Sequence, residues 1–393
     1  MKKLSHLLTL VILFPILIYS QDSDKKEKKE KPERQKFEMM YDINCTEVKA
    51  QDKTGTCWSF ATASFFEAEL IRMGKGSFDL SEMFIVRHTY PMKAEKYVRY
   101  QGMANFGQGG QAHDVFHVME QYGHVPQSVY GGKIVDKKKH NHGELEAVLK
   151  GILDGVLKKR GGNISHVWPG VVESTLDQYL GEVPEKFEFE GKEYTPKSFA
   201  DMLGLKKENY IELTSFTHHP FYKGFNLEIP DNWTNDLFYN LPIDELVEVM
   251  NYALENGYSV NWDGDVSEKS FDMKKGYAVI PVEKEDDKDQ DKDNEKDESE
   301  ESEPEVEKEI TQEMRQETFN SFATTDDHLM HIVGLSENQN GTKFYYTKNS
   351  WGEKGKYDGF LHMSEPYIRL KTIAIMVHKD AIPEVIKEKL ELK

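Results

Sequence analysis

One stretch of sequence, residues 51–73, places the strongest constraint on how this chain folds. A polar turn containing Gly55 leads to Cys57, and the apolar-periodic segment that follows predicts a helix ending before Gly74. Cys57 is therefore expected at or near a helix N-terminus, where unpaired N–H groups and the helix dipole favour negative charge. With a cation nearby, the pKa of a cysteine in this position falls to about 3.5–7.5. Gln51 lies close enough along the chain to fold back as an oxyanion donor.

Composition narrows the class of protein. The chain has 393 residues, 38% of them hydrophobic, which suffices for one large domain or two lobes. Its formal net charge is -19 and no dense Lys/Arg stripe occurs after the N-terminus, which argues against a nucleic-acid partner. The only cysteines are Cys45 and Cys57, so no disulfide framework is expected, and a reactive Cys57 has to stay unpaired.

The N-terminal segment has the pattern of an export signal. Residues 1–20 begin with basic Lys2 and Lys3 and continue with an apolar run too short for a comfortable membrane span. We expect a signal peptide, cleavage before Gln21, and a periplasmic or secreted protein. An uncleaved signal is the alternative and would be the only contact with a membrane. The Lys/Glu-rich residues 21–36 predict a disordered tether.

The rest of the sequence mixes helical and β patterns, which indicates an α+β fold. Helices are predicted at 61–73, 83–87 (capped by Ser81), 112–122 and 243–256, with a mostly helical region at 133–201 that includes a hairpin at 187–194. Strands are predicted at 210–214, 225–229, 258–262, 331–335, 343–348, 359–363 and 373–377. Residues 283–309 form an acidic low-complexity run that predicts a disordered surface loop. Calcium binding by this run is the weaker alternative, because no glycine-turned pattern of oxygen ligands occurs in it.

A cysteine nucleophile needs a base, and the base needs a group that orients it. Of the 14 histidines, His328 has the most suggestive position, at the entry to a predicted strand. The partner strand leads into Asn349, whose side-chain oxygen can accept the imidazole N–H, and Trp351 can shield that hydrogen bond from water. His331, three residues later, is the competing candidate.

These residues and their order resemble the motifs of papain-like cysteine peptidases. The run Gly55-Thr56-Cys57-Trp58 departs from the common papain signature because Thr54 replaces its first cysteine, so the disulfide of secreted papains is absent. The histidine also follows Cys57 by about 270 residues, an unusually long spacing. In both departures the chain resembles the bleomycin hydrolase and bacterial aminopeptidase C group. Further similar segments are Gln108-Gly109-Gly110, Asn141-His142-Gly143-Glu144-Leu145, the run 214–221, Asp265-Val266-Ser267-Glu268 and the run 310–316.

The resemblance implies a papain-like two-lobe fold over residues 37–393, with a helical lobe that carries the Cys helix and a β-barrel-like lobe that carries the histidine and asparagine. A large helical insertion is expected at about 131–250. Cys57 would be the nucleophile, His328 the acid and base, Asn349 its orienter, and Gln51 the oxyanion donor together with the Cys57 N–H. His328 is preferred to His331 because Gly334 then falls six residues after it, as in the family pattern.

Substrate binding is assigned by the same resemblance. Gly109 and Gly110 would line the cleft and bond a peptide backbone, and Trp351 would lie beside them. The C-terminal arm, 382–393, would lie in the cleft, with the carboxylate of Lys393 pairing with a substrate's free amine. Leu329 replaces a usually small residue and is expected to narrow the cleft. No cofactor and no metal are expected, and His218 and His219 are interpreted as structural.

The predicted function is peptide hydrolysis by an exported aminopeptidase, with peptides as substrates and a hexamer as the oligomer that the resemblance implies. Two alternatives stay open at this point. One is a papain-like endopeptidase or dipeptidyl exopeptidase, which would cleave N-blocked or longer substrates. The other is a peptide-binding protein on a catalytically retired scaffold, which would not react with a thiol-directed peptide epoxide.

Overall fold

The computed structural model describes residues 35–136, 138–159, 163–282 and 306–392. The predicted signal (1–20), nearly all of the tether, most of the acidic loop and Lys393 lie outside these ranges. The helices are α1 (Cys57–Arg72), α2 (Glu82–Arg99), α3 (Ala112–Tyr122), α4 (Gly143–Leu157), α5 (Trp168–Leu180), α6 (Pro196–Leu203), α7 (Ile243–Glu255), α8 (Gln312–Asn320), α9 (Glu365–Lys371) and α10 (Glu384–Lys389). The strands are β1 (Phe37–Asp42), β2 (Phe187–Phe189), β3 (Lys192–Tyr194), β4 (Tyr210–Thr214), β5 (Gly224–Asn226), β6 (Leu237–Asn240), β7 (Val260–Gly264), β8 (Tyr277–Ala278), β9 (His328–Asn338), β10 (Lys343–Lys348), β11 (Phe360–Ser364) and β12 (Thr372–His378).

The described residues form the expected α+β, two-lobe arrangement. Helices α1 to α6 share one core, in which Phe66, Phe116 and Leu149 are fully buried. The second core lies on a ten-stranded mixed sheet in the order β5-β6-β4-β12-β7-β9-β10-β11-β8, with β1 paired to β9. The predicted β-barrel-like lobe is built around this sheet. Helix α1 packs on β9 and β7, so the start of the Cys helix meets the start of the histidine strand.

The segment predicted as an insertion, 131–250, contributes to both lobes. Helices α4, α5 and α6 bury Leu149, Leu176 and Phe199 in the helical core. Strands β4, β5 and β6 extend the main sheet through pairing of β4 with β12. The boundaries of the insertion stay a prediction. Its described residues add to both main cores, and Phe216, Phe225 and Phe238 also form a smaller cluster with Ile373 and Ala374 of β12.

Among the elements that differ from the sequence prediction, three have a clear physical reason. Helix α2 continues well beyond the predicted 83–87 because Tyr90, Ala94 and Tyr97 bury against the helical core, even though Pro91 lies inside the helix. Strand β1 has no counterpart in the prediction, because most of its residues are exposed and show no apolar alternation. The strand predicted at 225–229 is the shorter β5, and Leu227 and Ile229 are buried in the loop that follows it.

The C-terminal arm packs against the sheet lobe. Ile386 and Leu390 are buried in the second core, and Lys389 forms an ion pair with Glu245 of α7. None of the contacts described for residues 382–392 involves a residue of the cleft discussed below. The expectation that Lys393 reaches a substrate amine concerns a residue outside the described ranges. Among the described helices, none is long and apolar enough to cross a membrane.

Candidate active site

Cys57 is the first residue of α1, as the sequence predicts, and its side chain is buried. Its backbone N–H therefore belongs to the first turn, whose N–H groups have no acceptor within the helix. The turn before it is held by Thr54, whose hydroxyl donates to Gln51 O (2.8 Å) and lies 2.6 Å from the Thr56 hydroxyl. Thr54, which replaces the first cysteine of the common papain signature, thus stabilises the turn by local hydrogen bonds.

Gln51 is fixed from both sides. Its Nε2 donates to Thr54 O (2.7 Å), and its Oε1 accepts from the Ser350 hydroxyl (2.5 Å). Its backbone N–H also donates to Ser350 O (2.8 Å). A side-chain amide has two N–H donors, so one of them remains for an oxyanion beside Cys57. The contact with Ser350 joins the cysteine turn to the loop that carries Asn349.

The strand pair β9 and β10 brings His328 and Asn349 together. His328 is the first residue of β9, and Asn349 directly follows the antiparallel partner β10. His328 Nε2 lies 2.8 Å from Asn349 Oδ1, and both residues are buried. The Trp351 ring lies 5.0 Å from the His328 ring, centroid to centroid, where it covers this hydrogen bond.

His331, the competing histidine, has a different environment. Its Nδ1 lies 2.9 Å from the Ser64 hydroxyl, and the residue is completely buried between β7 and β10. It makes no hydrogen bond to Asn349 among the described residues. The geometry therefore favours His328 as the partner of Asn349.

The glycine loop before α3 forms one side of a cleft in front of Cys57. The cleft has a volume of about 290 Å³. Its lining residues are Gly55, Cys57, Gln108, Gly109, Gly110, Glu146, Asp231, Asp326, Asp327 and Leu329. Gln108 connects its two sides, because its Oε1 accepts from Gly55 N (2.8 Å) and its carbonyl accepts from Trp58 Nε1 (2.9 Å). Gly109, Gly110 and the buried Leu329 lie in this lining, and narrowing of the cleft by Leu329 stays a prediction.

The ionisation of Cys57 differs from the sequence expectation. Burial raises the pKa of the Cys57 thiol to about 12, and the charges of Asp326, Asp263 and Asp231 add to the rise. The expected lowering of this pKa required a nearby cation, and carboxylates stand there instead. Burial also lowers the pKa of His328 to about 4, against the opposing hydrogen bond to Asn349. Both shifts favour the uncharged forms of the two side chains, and no hydrogen bond between them occurs among the described residues.

A carboxyl pair behind the cleft has no counterpart in the sequence prediction. Burial raises the pKa of Asp326 to about 7, and the neighbouring Asp231 adds to the rise. Burial, followed by the charge of Asp326, also raises the pKa of Asp263, whose carboxyl group interacts with the Asp326 carboxyl and with the Gln111 side chain. Gln111 Nε2 donates to Asp326 Oδ2 (3.2 Å). Two carboxyl groups that are buried next to each other hold a proton near neutral pH, because both cannot easily be charged at once.

This pair makes stability depend on pH. The pKa of Asp326 is higher in the folded than in the unfolded state, so the fold binds more protons between about pH 4 and pH 7 and loses stability as pH rises through that window. We expect Asp263→Asn to raise the melting temperature by a few °C at pH 8 and by about 1 °C or less at pH 5. Circular dichroism melts at both pH values measure this, with the exposed Asp201→Asn as control. Equal shifts of Asp263→Asn at the two pH values would contradict the assignment.

One group outside the cleft has the side chains for a metal ion. The ligand atoms of His218, His219 and Glu228 lie within 4.8 Å of one another. Both histidines already bond the glutamate, at 3.1 and 2.8 Å, and stack beside Phe225 or Phe319. This arrangement agrees with the structural interpretation of the two histidines and needs no ion.

Comparison with known proteins agrees with this geometry. The model of the Peptidase C1-like family matches residues 174–393, and that of the papain family cysteine proteases matches residues 34–148. The fold and these matches define the class as papain-like cysteine peptidases. Within that class the chain belongs to the Peptidase C1-like family, in the group of the bleomycin hydrolases and bacterial aminopeptidases C.

Similar relatives span most of the chain. Aminopeptidase G of Lactobacillus delbrueckii subsp. lactis is 23% identical over 377 residues, which cover 84% of this chain and 80% of the relative. Aminopeptidase C of Streptococcus thermophilus is 24% identical and covers 88% and 83% of the two chains. Bleomycin hydrolase of Mus musculus is 22% identical and covers 88% and 82%. The crystal structure of PepW from Lactobacillus rhamnosis HN001 superposes with a TM-score of 0.68 at 19% identity over 90% of this chain and 84% of that one.

Proposed function

We propose that this chain is an exported cysteine aminopeptidase that removes N-terminal residues from peptides. The observation that supports this most directly is the 2.8 Å contact of His328 Nε2 with Asn349 Oδ1, next to Asp327 and Leu329, which line the same cleft as Cys57. Several similar relatives are named aminopeptidases, which points to this type of peptidase.

The proposed reaction is acyl transfer through Cys57. Because Nε2 of His328 is bonded to Asn349, its Nδ1 is the nitrogen left to take the thiol proton. The thiolate attacks the peptide carbonyl carbon and forms a C–S bond. His328 then gives the proton to the leaving amine as the C–N bond breaks. In the second half, water loses a proton to His328 and attacks the thioester, and the C–S bond breaks as the proton returns to sulfur.

The oxyanion that forms in each half needs donors already in place. The Cys57 N–H and the second N–H of Gln51 Nε2 are proposed for this role. Gln51 is held at both ends of its amide, so it loses little freedom when the charge develops. A donor of this kind contributes about 10²–10³ in kcat in other hydrolases. Neither step requires a cofactor or metal.

Export and assembly are part of the proposal. The signal pattern of residues 1–20 motivates export, to the periplasm or the medium, with Gln21 as first residue of the mature protein. N-terminal sequencing of the protein recovered outside the cytoplasm tests this, and a start at Met1 contradicts cleavage. A hexamer is the oligomer that the family resemblance implies, and sedimentation of the purified enzyme measures it.

A set of matched substrates tests the activity. We expect an aminoacyl fluorogenic amide with a free amine to be hydrolysed at least about tenfold faster, by kcat/KM, than its N-acetyl form or a longer N-blocked peptide. A peptidyl epoxide should stop the reaction by alkylating Cys57. Faster cleavage of the blocked substrates would indicate an endopeptidase, and a dipeptide as first product would indicate a dipeptidyl exopeptidase. Absence of both turnover and epoxide labelling would support the retired binding protein.

A further inference from the structure

Asp231 stands over the glycine loop of the cleft. It lies in the segment between β5 and β6, and this segment reaches back to the loop that precedes α3. A methyl group added to Gly109 would lie only 1.9 Å from Asp231 Oδ2 and 2.5 Å from its carboxyl carbon. The carboxylate therefore rests directly on the face of Gly109 that a peptide backbone would otherwise use.

One of the two carboxyl oxygens of Asp231 is available to accept a hydrogen bond from a ligand. Its Oδ1 accepts from Asn105 Nδ2 (3.0 Å), whereas no hydrogen bond to Oδ2 occurs among the described residues. The buried ammonium of Lys93 lies beneath the loop and is occupied by the carbonyls of Gly107 (2.9 Å) and Gly109 (2.5 Å). It compensates part of the charge of Asp231 but supplies no donor to it.

The other carboxylates of the cleft are already engaged. Glu146 accepts from Gln108 (2.7 Å), Asp327 from Thr325 (2.7 Å) and Asp326 from Gln111 (3.2 Å). Behind Asp326, the 3% exposed Asp263 adds a further buried carboxyl group, which interacts with Asp326 and Gln111. On this side of the cleft the carboxyl groups outnumber the positive groups among the described residues. A cationic ligand would balance part of their negative charge.

We infer that Asp231 binds the α-ammonium of the substrate's first residue and closes the cleft beyond that residue. The inference rests on the proposed peptidase function and explains why only one residue would fit before the cleaved bond. The ammonium nitrogen is two bonds from the attacked carbonyl carbon, so its partner carboxylate has to lie within roughly 8 Å of Cys57 Sγ. Asp231 and Cys57 line the same cleft, and Asp231 lies against Gly109, one of the glycines of that lining.

Binding of the ammonium would also prepare the nucleophile. Burial raises the pKa of the Cys57 thiol, and the negative charge of Asp326, Asp263 and Asp231 adds to the rise. A substrate cation beside Asp231 cancels part of this negative field, so transfer of the thiol proton to His328 becomes easier once the correct substrate is bound. A substrate with a blocked amine would lack both the anchor and this effect.

The test measures binding separately from turnover. In a Cys57→Ala background, calorimetry compares a trialanine peptide that has a free amine with its N-acetyl form. We expect the free peptide to bind about 10- to 100-fold more tightly, the range of a charge-assisted hydrogen bond in a desolvated site. Addition of Asp231→Asn should reduce this preference to within about threefold. Asp201→Asn, which removes the same charge from exposed α6, should leave it unchanged.

A second substitution separates the two proposed effects of Asp231, which are binding of the ammonium by its charge and closure of the cleft by its bulk. Asp231→Gly removes both charge and bulk, so the N-acetyl peptide should bind about tenfold more tightly than it does to Asp231→Asn. In the Cys57-containing enzyme, Asp231→Asn should raise KM for free-amine substrates with little change in kcat for blocked ones. A free-amine preference that persists in Asp231→Asn overturns the inference. Loss of all turnover and epoxide labelling in the unmutated enzyme overturns the proposed peptidase function instead, and the calorimetric result still decides the role of Asp231.

Discussion

Replacing Cys57 by alanine is expected to lower kcat/KM for peptide hydrolysis by at least about 10⁴-fold, because no other group can form the acyl-enzyme. The fold should persist, since the change removes only one sulfur atom at the start of α1. Fluorogenic assays with a free-amine substrate measure the loss, and circular dichroism checks the fold.

The chain offers a matched control for this substitution. Cys45 is its only other cysteine, and it is free and half-buried. Burial raises the pKa of the Cys45 thiol, so it too is protonated at neutral pH. Cys45→Ala should retain activity within about twofold and should still be alkylated once by a peptidyl epoxide. Retained activity in Cys57→Ala, or epoxide labelling that disappears in Cys45→Ala, would show that the nucleophile has been assigned to the wrong residue.

The parts of the site that depend on local sequence were predictable. The position of Cys57 follows from a turn and a helical period, and the structure begins α1 at that residue. The approach of Asn349 to His328 follows from two strands joined by a short turn, since pairing of β9 with β10 fixes their ends side by side. Local patterns of this kind specify register because a slip by one residue would turn every buried side chain of a strand outward.

The charges around the thiol were not predictable in the same way. Asp231 precedes no motif, and its contact with Gly109 arises only when a loop more than 100 residues downstream packs on the glycine loop. The pKa of Cys57 likewise depends on burial and on three carboxylates from three separate segments. A helix N-terminus favours a thiolate, but loss of solvation and nearby negative charge outweigh that effect here.

The difference between local sequence patterns and long-range packing also explains why strand β1 and the length of helix α2 differ from the prediction. Strand β1 is exposed along most of its length, so its pairing with β9 leaves no apolar period in the sequence. The predicted helix ends at Arg87, whereas α2 continues through Pro91, a residue that removes one helical hydrogen bond. Burial of Tyr90, Ala94 and Tyr97 in the helical core stabilises the helix by more than the proline costs, and the helix continues through it.

A pair of identical substitutions distinguishes the two histidines of β9. His328→Gln is expected to lower kcat/KM by at least about 10³-fold, because the proton of the Cys57 thiol then has no acceptor and the leaving amine no donor. His331→Gln should change kcat/KM by less than about tenfold. It disturbs the contact with the Ser64 hydroxyl and the ring contact with Phe65, so its main effect should be a lower melting temperature.

The two variants also differ in their expected response to pH. His328 is held by Asn349 and directly precedes the cleft residue Leu329, whereas His331 lies between strands, where burial and the charge of Lys348 lower its pKa. His331→Gln should therefore retain the pH profile of kcat/KM, while the residual activity of His328→Gln should rise with hydroxide concentration as the thiolate forms without help. A loss of activity in His331→Gln equal to that in His328→Gln, at matched thermal stability, would move the acid and base role three residues along the strand. Asn349 would then orient no catalytic group, and its 2.8 Å contact with His328 would be part of the packing between β10 and β9.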